Sequence, residues 1–270
     1  MDMTLFTSAR SGTGTQEWSD ASYNIQTGCS HGCVYCYARL MNVRFPKLRL
    51  TDWTRPVLRA HALRKTWRLC KQPTVVMFPT SHDITMENAL EYVIVLRKML
   101  QSGRHVLIVT KPHLRCVRFI CDKTEDYKKQ ILFRFSLGSL DDAMLKRFEP
   151  GAPDSNERLA SVCWAHNAGF QTSVSAEPLL GGLQTAQDIL SACLPYVTQD
   201  VWIGKLNYIS RFRTPELDPY LRDIEAAQTD EALRAMAQAL AHIPNVAWKD
   251  SIKKVLSGTQ KMCKILPACP

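Results

Sequence analysis

Short apolar runs alternate with longer stretches of helical period along most of this chain, and that alternation predicts its elements. Thr74–Phe78 (TVVMF), His105–Thr110 (HVLIVT) and Ile131–Ser136 (ILFRFS) are β-branched and aromatic runs of strand length. Thr172–Ala176 and Val201–Gly204 continue the series, and Ser22–Thr27 precedes it as a first strand. Helices are predicted over Arg55–Cys70, Met86–Leu100, Asp141–Phe148, Asp154–Asn167 and Gln184–Leu194, then over Glu216–Ala227 and Asp230–Ala241. Asp52–Thr54 reads as a helix start, Gly103 and Gly169 as stops, and Thr229 as an N-cap. Strands alternating with helices imply a parallel sheet with right-handed crossovers. Six such units fall short of a closed eight-stranded barrel, so the expected fold is α/β, a partial TIM barrel of the (β/α)6 kind. It would occupy residues 21–210, behind a flexible arm over 1–20 and ahead of a helical extension over 211–270 packed on the core.

In barrels of this type the working groups sit at the C-terminal ends of the strands. Here a cysteine-rich loop follows the first strand, Thr80, Ser81, His82 and Asp83 follow the second, and Lys111 follows the third. Ser136 ends the fourth, Glu177 follows the fifth, and Lys205 and Asn207 follow the sixth. The candidate site is therefore one end of the sheet, with His82, Asp83, Lys205, Asn207 and Glu177 as candidate substrate or cofactor contacts.

Composition narrows the setting. The chain has 270 residues, 46% of them apolar, enough for a full core. No uninterrupted apolar run reaches membrane-spanning length, and Met1–Gln16 lacks the basic-then-apolar order of a secretory signal. A cytoplasmic protein without a membrane partner is expected. In a reducing compartment ten cysteines point to metal or redox chemistry where they cluster, and to core packing where they do not. Cys29, Cys33 and Cys36 cluster; Cys70, Cys116, Cys121, Cys163 and Cys193 are scattered among apolar residues, and Cys263 and Cys269 form a loose pair near the tail.

Charge adds a second candidate surface. Residues 39–71 carry ten Lys or Arg and one acid, Asp52, so this stretch accounts for the whole net charge of +9. Arg55, Arg59, Arg64, Lys65 and Arg68 fall on the helix predicted there, and Phe45, Trp53 and Trp67 are interleaved with the cations. Such a surface suits phosphate contacts and base stacking, so a nucleic-acid partner, DNA or RNA, is expected; an ordinary solvated helix over core tryptophans is the plainer alternative.

Gly28-Cys-Ser-His-Gly-Cys-Val-Tyr-Cys-Tyr-Ala-Arg39 can wrap one metal centre with three thiolates, and Gly28 and Gly32 permit the tight turns. A zinc site with His31 as fourth ligand is the alternative. The Cys-x3-Cys-x2-Cys spacing after a first strand, with an aromatic before the last cysteine, resembles the radical S-adenosylmethionine (SAM) enzymes. Glu17–Cys29, Phe148–Leu159 and Ser175–Gly181 further resemble the spore photoproduct lyase-like group and its phage-type members.

The resemblance implies a partial barrel of the radical SAM type with a [4Fe–4S] cluster on Cys29, Cys33 and Cys36. SAM would chelate the fourth iron, and an electron supplied by a flavodoxin or ferredoxin would release a 5′-deoxyadenosyl radical. It further implies Tyr35 beside the adenine, Ser81, Lys111 and Ser136 as SAM contacts, with Lys111 on the carboxylate, and Tyr35 and Tyr37 as radical-transfer tyrosines. Glu177 would be a SAM ribose ligand or a substrate contact. Glu149 and Arg158 are read as a structural ion pair. One position departs from the group: Pro79 stands where the lyase has its hydrogen-donating cysteine, so the lyase's own repair route is not expected here. A small-molecule or peptide substrate, and a non-catalytic iron–sulfur protein for sensing or assembly, remain as alternatives.

Overall fold

In a computed structural model, which describes residues 4–7, 12, 14–45 and 47–258, seven short strands form one all-parallel sheet. In chain order the strands of the structure are β1 (Ala21–Ser22), β2 (Gln26–Thr27), β3 (Val57–Leu58), β4 (Val75–Met77), β5 (His105–Thr110), β6 (Ile131–Ser136), β7 (Gln171–Ala176), β8 (Val201–Ile203) and β9 (Val246–Trp248). The sheet order is β1-β4-β5-β6-β7-β8-β9, with β2 and β3 paired antiparallel beside it. The partial barrel is thus present, with a seventh strand beyond the six expected. That strand is three residues long, too short to give an apolar signature of its own, and it holds its place by pairing with β8.

Alternation along the strands divides the interior in two. Val76, Val106, Ile108, Phe133, Val174 and Val201 face the helices and form the main core. Val75, Met77, Leu107, Leu132 and Trp202 face the other way, into the concave side. Period-two side-chain direction produces this split. Helices Ala89–Gln101, Leu114–Lys123, Ser155–Asn167 and Leu183–Cys193 bury their apolar stripes on the outer layer. Cys116, Cys121 and Cys193 are buried there as small core residues, whereas Cys70 and Cys163 are half-buried. Cys263 and Cys269 lie outside the described residues.

Thr229, Gly103 and Gly169 act as the end signals expected, and Asp141 and Asp154 cap the helices they precede, whereas Asp52–Thr54 starts no helix. The Asp141 side chain accepts from Ala143 N at 2.8 Å, Asp154 from Glu157 N at 2.8 Å, and Thr229 from Ala232 N at 3.2 Å. Gly103 and Gly169 adopt φ of +80° and +79° at the helix ends.

Two expectations differ from the structure. The helix over Arg55–Cys70 is not formed; only Ala60–Arg64 is helical. Pro56 lacks a backbone donor, Arg59 N donates to Ile25 O at 2.7 Å, and Cys70 N donates to Ser102 O at 2.9 Å, so tertiary partners take the backbone. The strand over Ser22–Thr27 is broken after Ser22, because Asn24 and Ile25 turn aside to bond Thr80 and His82. Among the described residues ahead of β1, Phe6 and Trp18 pack against the concave layer. There Asp20 exchanges two hydrogen bonds with Val75, while Glu17 reaches Lys249 and the N–H of Asp250 beyond β9. Residues 14–20 therefore bridge the gap between the sheet's two edges, β1 and β9.

Candidate active site

Every strand end of the barrel contributes to one cavity of about 490 Å³. Cys29, Cys33 and Cys36 line it, as do Tyr35, Ser81, Lys111, Ser136 and Glu177. Tyr37, Asp83, Lys205 and Asn207 line the same space. The structure thus gathers every candidate metal, cofactor and catalytic residue of the sequence, and the volume is ordinary for a small-molecule site.

The cysteine loop is held from both sides. Cys29 N donates to Trp53 O at 2.8 Å, and Gly28, at φ +89°, leaves no room for a Cβ, which would lie 2.6 Å from Trp53 O. Val34 N donates to Phe148 O and Gly151 N to His31 O, both at 2.9 Å. A side chain at Gly151 would collide with Ser30 O. The Phe148–Gly151 turn is thus a clamp on the loop. Its Glu149 accepts from Tyr35 Oη and pairs with Arg158 at 2.5 Å, with Arg158 wholly buried. Arg158 also donates to Pro153 O at 2.8 Å and Ser136 O at 3.2 Å, so the expected ion pair is a strut joining loop, clamp and β6.

His31 is spoken for. Its Nδ1 lies 3.2 Å from Asp83 Oδ2 and its Nε2 is 3.0 Å from His113 Nε2, with the ring buried. Both ring nitrogens thus lie against the side chains of Asp83 and His113. Among the described residues no three His, Cys, Asp or Glu side chains are placed to hold a metal ion.

The thiols themselves suit a multinuclear centre. All three are free and border one cavity. Burial pushes the Cys29 thiol up to about 12, with the Asp83 charge adding to it, and burial likewise raises Cys33 although Lys111 opposes the rise. Such thiols stay neutral until a bound cation takes them as thiolates. The donor set therefore fits an iron–sulfur cluster with Cys29, Cys33 and Cys36 as its protein ligands.

Facing them is the half-buried ammonium of Lys111. Burial disfavours the charge of Lys111, yet Cys33, Glu149 and Asp83 together hold it above lysine's ordinary range. Its ammonium lies 5.6 Å from the centre of the Tyr35 ring. Asp83 is the opposite case. Burial would raise it, but His31, Lys111 and the Thr110 hydroxyl hold it well below the usual carboxylate range. Its oxygens accept from Thr110 Oγ1, from Lys111 N at 2.9 Å and from Ile84 N at 2.9 Å. This carboxylate links the cysteine loop to the end of β5. Tyr37 donates to Thr80 O at 2.7 Å, and Ser81 N donates to Asn24 Oδ1 at 2.8 Å. Asn207 Nδ2 donates to Lys205 O at 3.0 Å.

The far wall contains residues that the sequence pattern did not single out. Lys249, just after β9, is buried against Glu17, lies 3.5 Å from Glu177 Oε2, and sits 3.8 Å from the Trp18 ring centre. The signal was available: Lys249 obeys the rule that a polar residue follows each strand, and only the missed strand hid it.

The basic residues divide. Arg59, Arg64 and Lys65 line a separate open depression of about 750 Å³ with His61, Tyr23 and Asn24. Arg55 pairs with Asp52, and Arg68 is exposed with its carbonyl accepting from Arg104 at 2.8 Å. Trp53 is only 3% exposed and unavailable for stacking. Trp67 packs edge-on against Tyr23 beneath Lys65 and Arg104.

A cavity of this build at the strand ends of a parallel partial barrel defines a class of enzyme. Residues 23–193 match the Radical SAM superfamily, and the chain belongs to it. The superfamily implies a [4Fe–4S] cluster, SAM and an electron donor. Among solved structures, spore photoproduct lyase complexed with dinucleoside spore photoproduct aligns with a TM-score of 0.57 at 15% identity, over 92% of this chain and 80% of that one. A mutant of the same lyase with bound AdoMet and dinucleoside spore photoproduct aligns at 0.54 and 16% identity, with 92% and 80% covered. Among curated relatives, the uncharacterized protein ORF301 of Acidianus two-tailed virus is 27% identical over 185 residues, 64% of this chain. The match spans 61% of that protein's length. No helix among the described residues is long and apolar enough to cross a membrane.

Proposed function

We propose that this enzyme cleaves SAM reductively at a [4Fe–4S] cluster held by Cys29, Cys33 and Cys36, and acts in the cytoplasm on a nucleic-acid substrate. The observation that carries the first part is the common cavity. Three thiols free of disulfides and one half-buried ammonium border the same space, alongside the serines expected at SAM. When bound, cluster and SAM together supply an electron and a 5′-deoxyadenosyl radical able to take a hydrogen atom from a substrate.

The chain's own residues bind and orient. The Lys111 ammonium compensates a ligand carboxylate that would otherwise be costly to bury. Ser81 and Ser136 offer hydroxyls on either side of it. Asp83 is a positioning residue: it fixes the backbone of Lys111 and the ring of His31. Glu149 fixes the Tyr35 hydroxyl. Tyr37, Lys205, Asn207 and Glu177 face the space left for the substrate. The nucleic-acid half rests on the basic depression of Arg59, Arg64 and Lys65. It reaches the cavity rim through Asn24, whose amide holds Thr80 and Ser81.

Anaerobic reconstitution followed by SAM and dithionite tests the first half: 5′-deoxyadenosine is the expected product. Lys111→Met should raise the KM for SAM about tenfold or more, equivalent to ~1.4 kcal/mol, with the cluster absorbance unchanged. A full cluster without any 5′-deoxyadenosine would leave a non-catalytic iron–sulfur protein. DNA or RNA should stimulate turnover in a salt-sensitive way that Arg64→Glu with Lys65→Glu abolishes. Turnover indifferent to both would turn the substrate assignment to a small molecule or peptide.

A further inference from the structure

Seven of the fourteen exposed large apolar side chains among the described residues fall between positions 37 and 58. They are Tyr37, Met41, Val43, Phe45, Leu50, Val57 and Leu58. Scattered exposed apolar residues are normal, but half of them within one short segment is not. The same segment carries Arg39, Arg44, Lys47, Arg49 and Arg55, with Asp52 as its one acid, and Asp52 is already paired with Arg49 and Arg55. Arg44 lies 5.3 Å from the centre of the Phe45 ring, a cation set beside an open aromatic face.

The location gives this face a purpose. Helix Tyr37–Arg44 starts on Cys36. Its buried side chains are Ala38 and Asn42, and Ala38 packs with Cys29, Cys36 and Trp53. Asn42 accepts from Lys47 N and Leu48 N, which folds the next loop back onto the helix. The outer face is therefore about one helix thickness, roughly 10 Å, from the thiols. On the proposed radical SAM chemistry, on which this inference rests, an electron must reach the centre held by those thiols from outside the chain.

We propose that the face formed by helix Tyr37–Arg44 and the segment up to Leu58 is the docking surface for a one-electron carrier protein. The carrier would be a low-potential flavin or iron–sulfur protein with acidic side chains around an apolar cofactor edge. The charges are complementary: five cations meet the acidic rim, and Met41, Val43 and Phe45 meet its centre. Redox encounters need little area, below about 1,200 Å², so a patch of this size suffices. In the step itself one electron leaves the reduced carrier and enters the metal centre; the carrier is oxidised by one electron, the centre is reduced by one, and no bond or proton moves. A nucleic acid would use the cations and the Phe45 ring, but the exposed aliphatic side chains of Met41, Val43 and Leu50 favour a protein partner.

The test compares two reductants and a binding measurement, with Arg44→Glu and Phe45→Asp as variants. Wild-type enzyme should bind flavodoxin or a plant-type ferredoxin in calorimetry at low salt and release it as salt rises. Each variant should weaken that binding at least tenfold and slow carrier-driven SAM cleavage by a similar factor, while the dithionite-driven rate stays within twofold of wild type. Wild-type enzyme that binds neither carrier, or variants that bind as wild type does, overturn the proposal. Loss of DNA or RNA affinity in the variants with carrier binding intact overturns it in favour of a nucleic-acid face. Failure of the dithionite-driven reaction in the wild type would instead strike the radical SAM chemistry, which the binding arm reads separately.

Discussion

The two walls of the cavity are built on opposite electrostatic plans. The cysteine wall holds three thiols free of disulfides around one cavity, a donor set that a cationic centre would complete. The far wall holds Glu17 and Glu177 beside Lys249, with Lys253 Nζ 3.8 Å from Glu17, so the chain supplies cations to its own carboxylates. Burial raises both carboxylates while Lys249 pulls them down, the balance expected of a closed ionic group. Thiols free of disulfides at a cavity wall leave a place for a ligand, whereas the buried Glu17–Lys249 pair serves stability.

That contrast can be broken in three ways. Cys33→Ala should have the largest functional effect: no visible iron–sulfur band after reconstitution and 5′-deoxyadenosine at background, with the apoprotein's urea midpoint nearly unchanged. Lys249→Met should do the reverse. It strands a buried Glu17 and should cost about 3–5 kcal/mol in urea unfolding, while reconstitution still yields the band. Equal loss of stability in both variants would erase the distinction between the walls.

The smallest effect concerns pH. His82 accepts from Ile25 N at 3.2 Å and is buried; burial lowers its pKa from 6.5 to about 4, although Asp83 opposes the shift. The unfolded chain takes up a proton there before the folded one does. Stability is therefore complete above about pH 6.5 and falls as pH drops toward 4, by on the order of 3 kcal/mol. Urea unfolding between pH 7 and pH 4 should show this loss, and His82→Gln should flatten it. A slope that persists in the variant would assign it elsewhere.

The sequence revealed most where local signals agreed with tertiary demand. β5 and β6 run over the residues their apolar patterns predict, and Asp141, Asp154 and Thr229 cap as their side chains allow. The candidate site was legible because strand ends in a parallel barrel converge. Residues 55–70 do not form the predicted helix because Pro56 and long-range backbone bonds override the Asp52–Thr54 start signal. Helix Leu114–Lys123 was overlooked although Leu114, Val117, Ile120 and Cys121 give it an apolar stripe. The link from His31 to Asp83 and His113 joins residues 52 and 82 positions apart in the chain, and no local pattern carries such a pairing.

Residue 17 meets residue 249 across the mouth between β1 and β9. A ribosome making this protein emits the thiols more than two hundred residues before the lysine. Until Lys249 is made the chamber has a missing panel, and any metal centre assembled on the emerging thiols would stand open to oxygen. Maturation is thus best timed after β9 and Lys249 have been made.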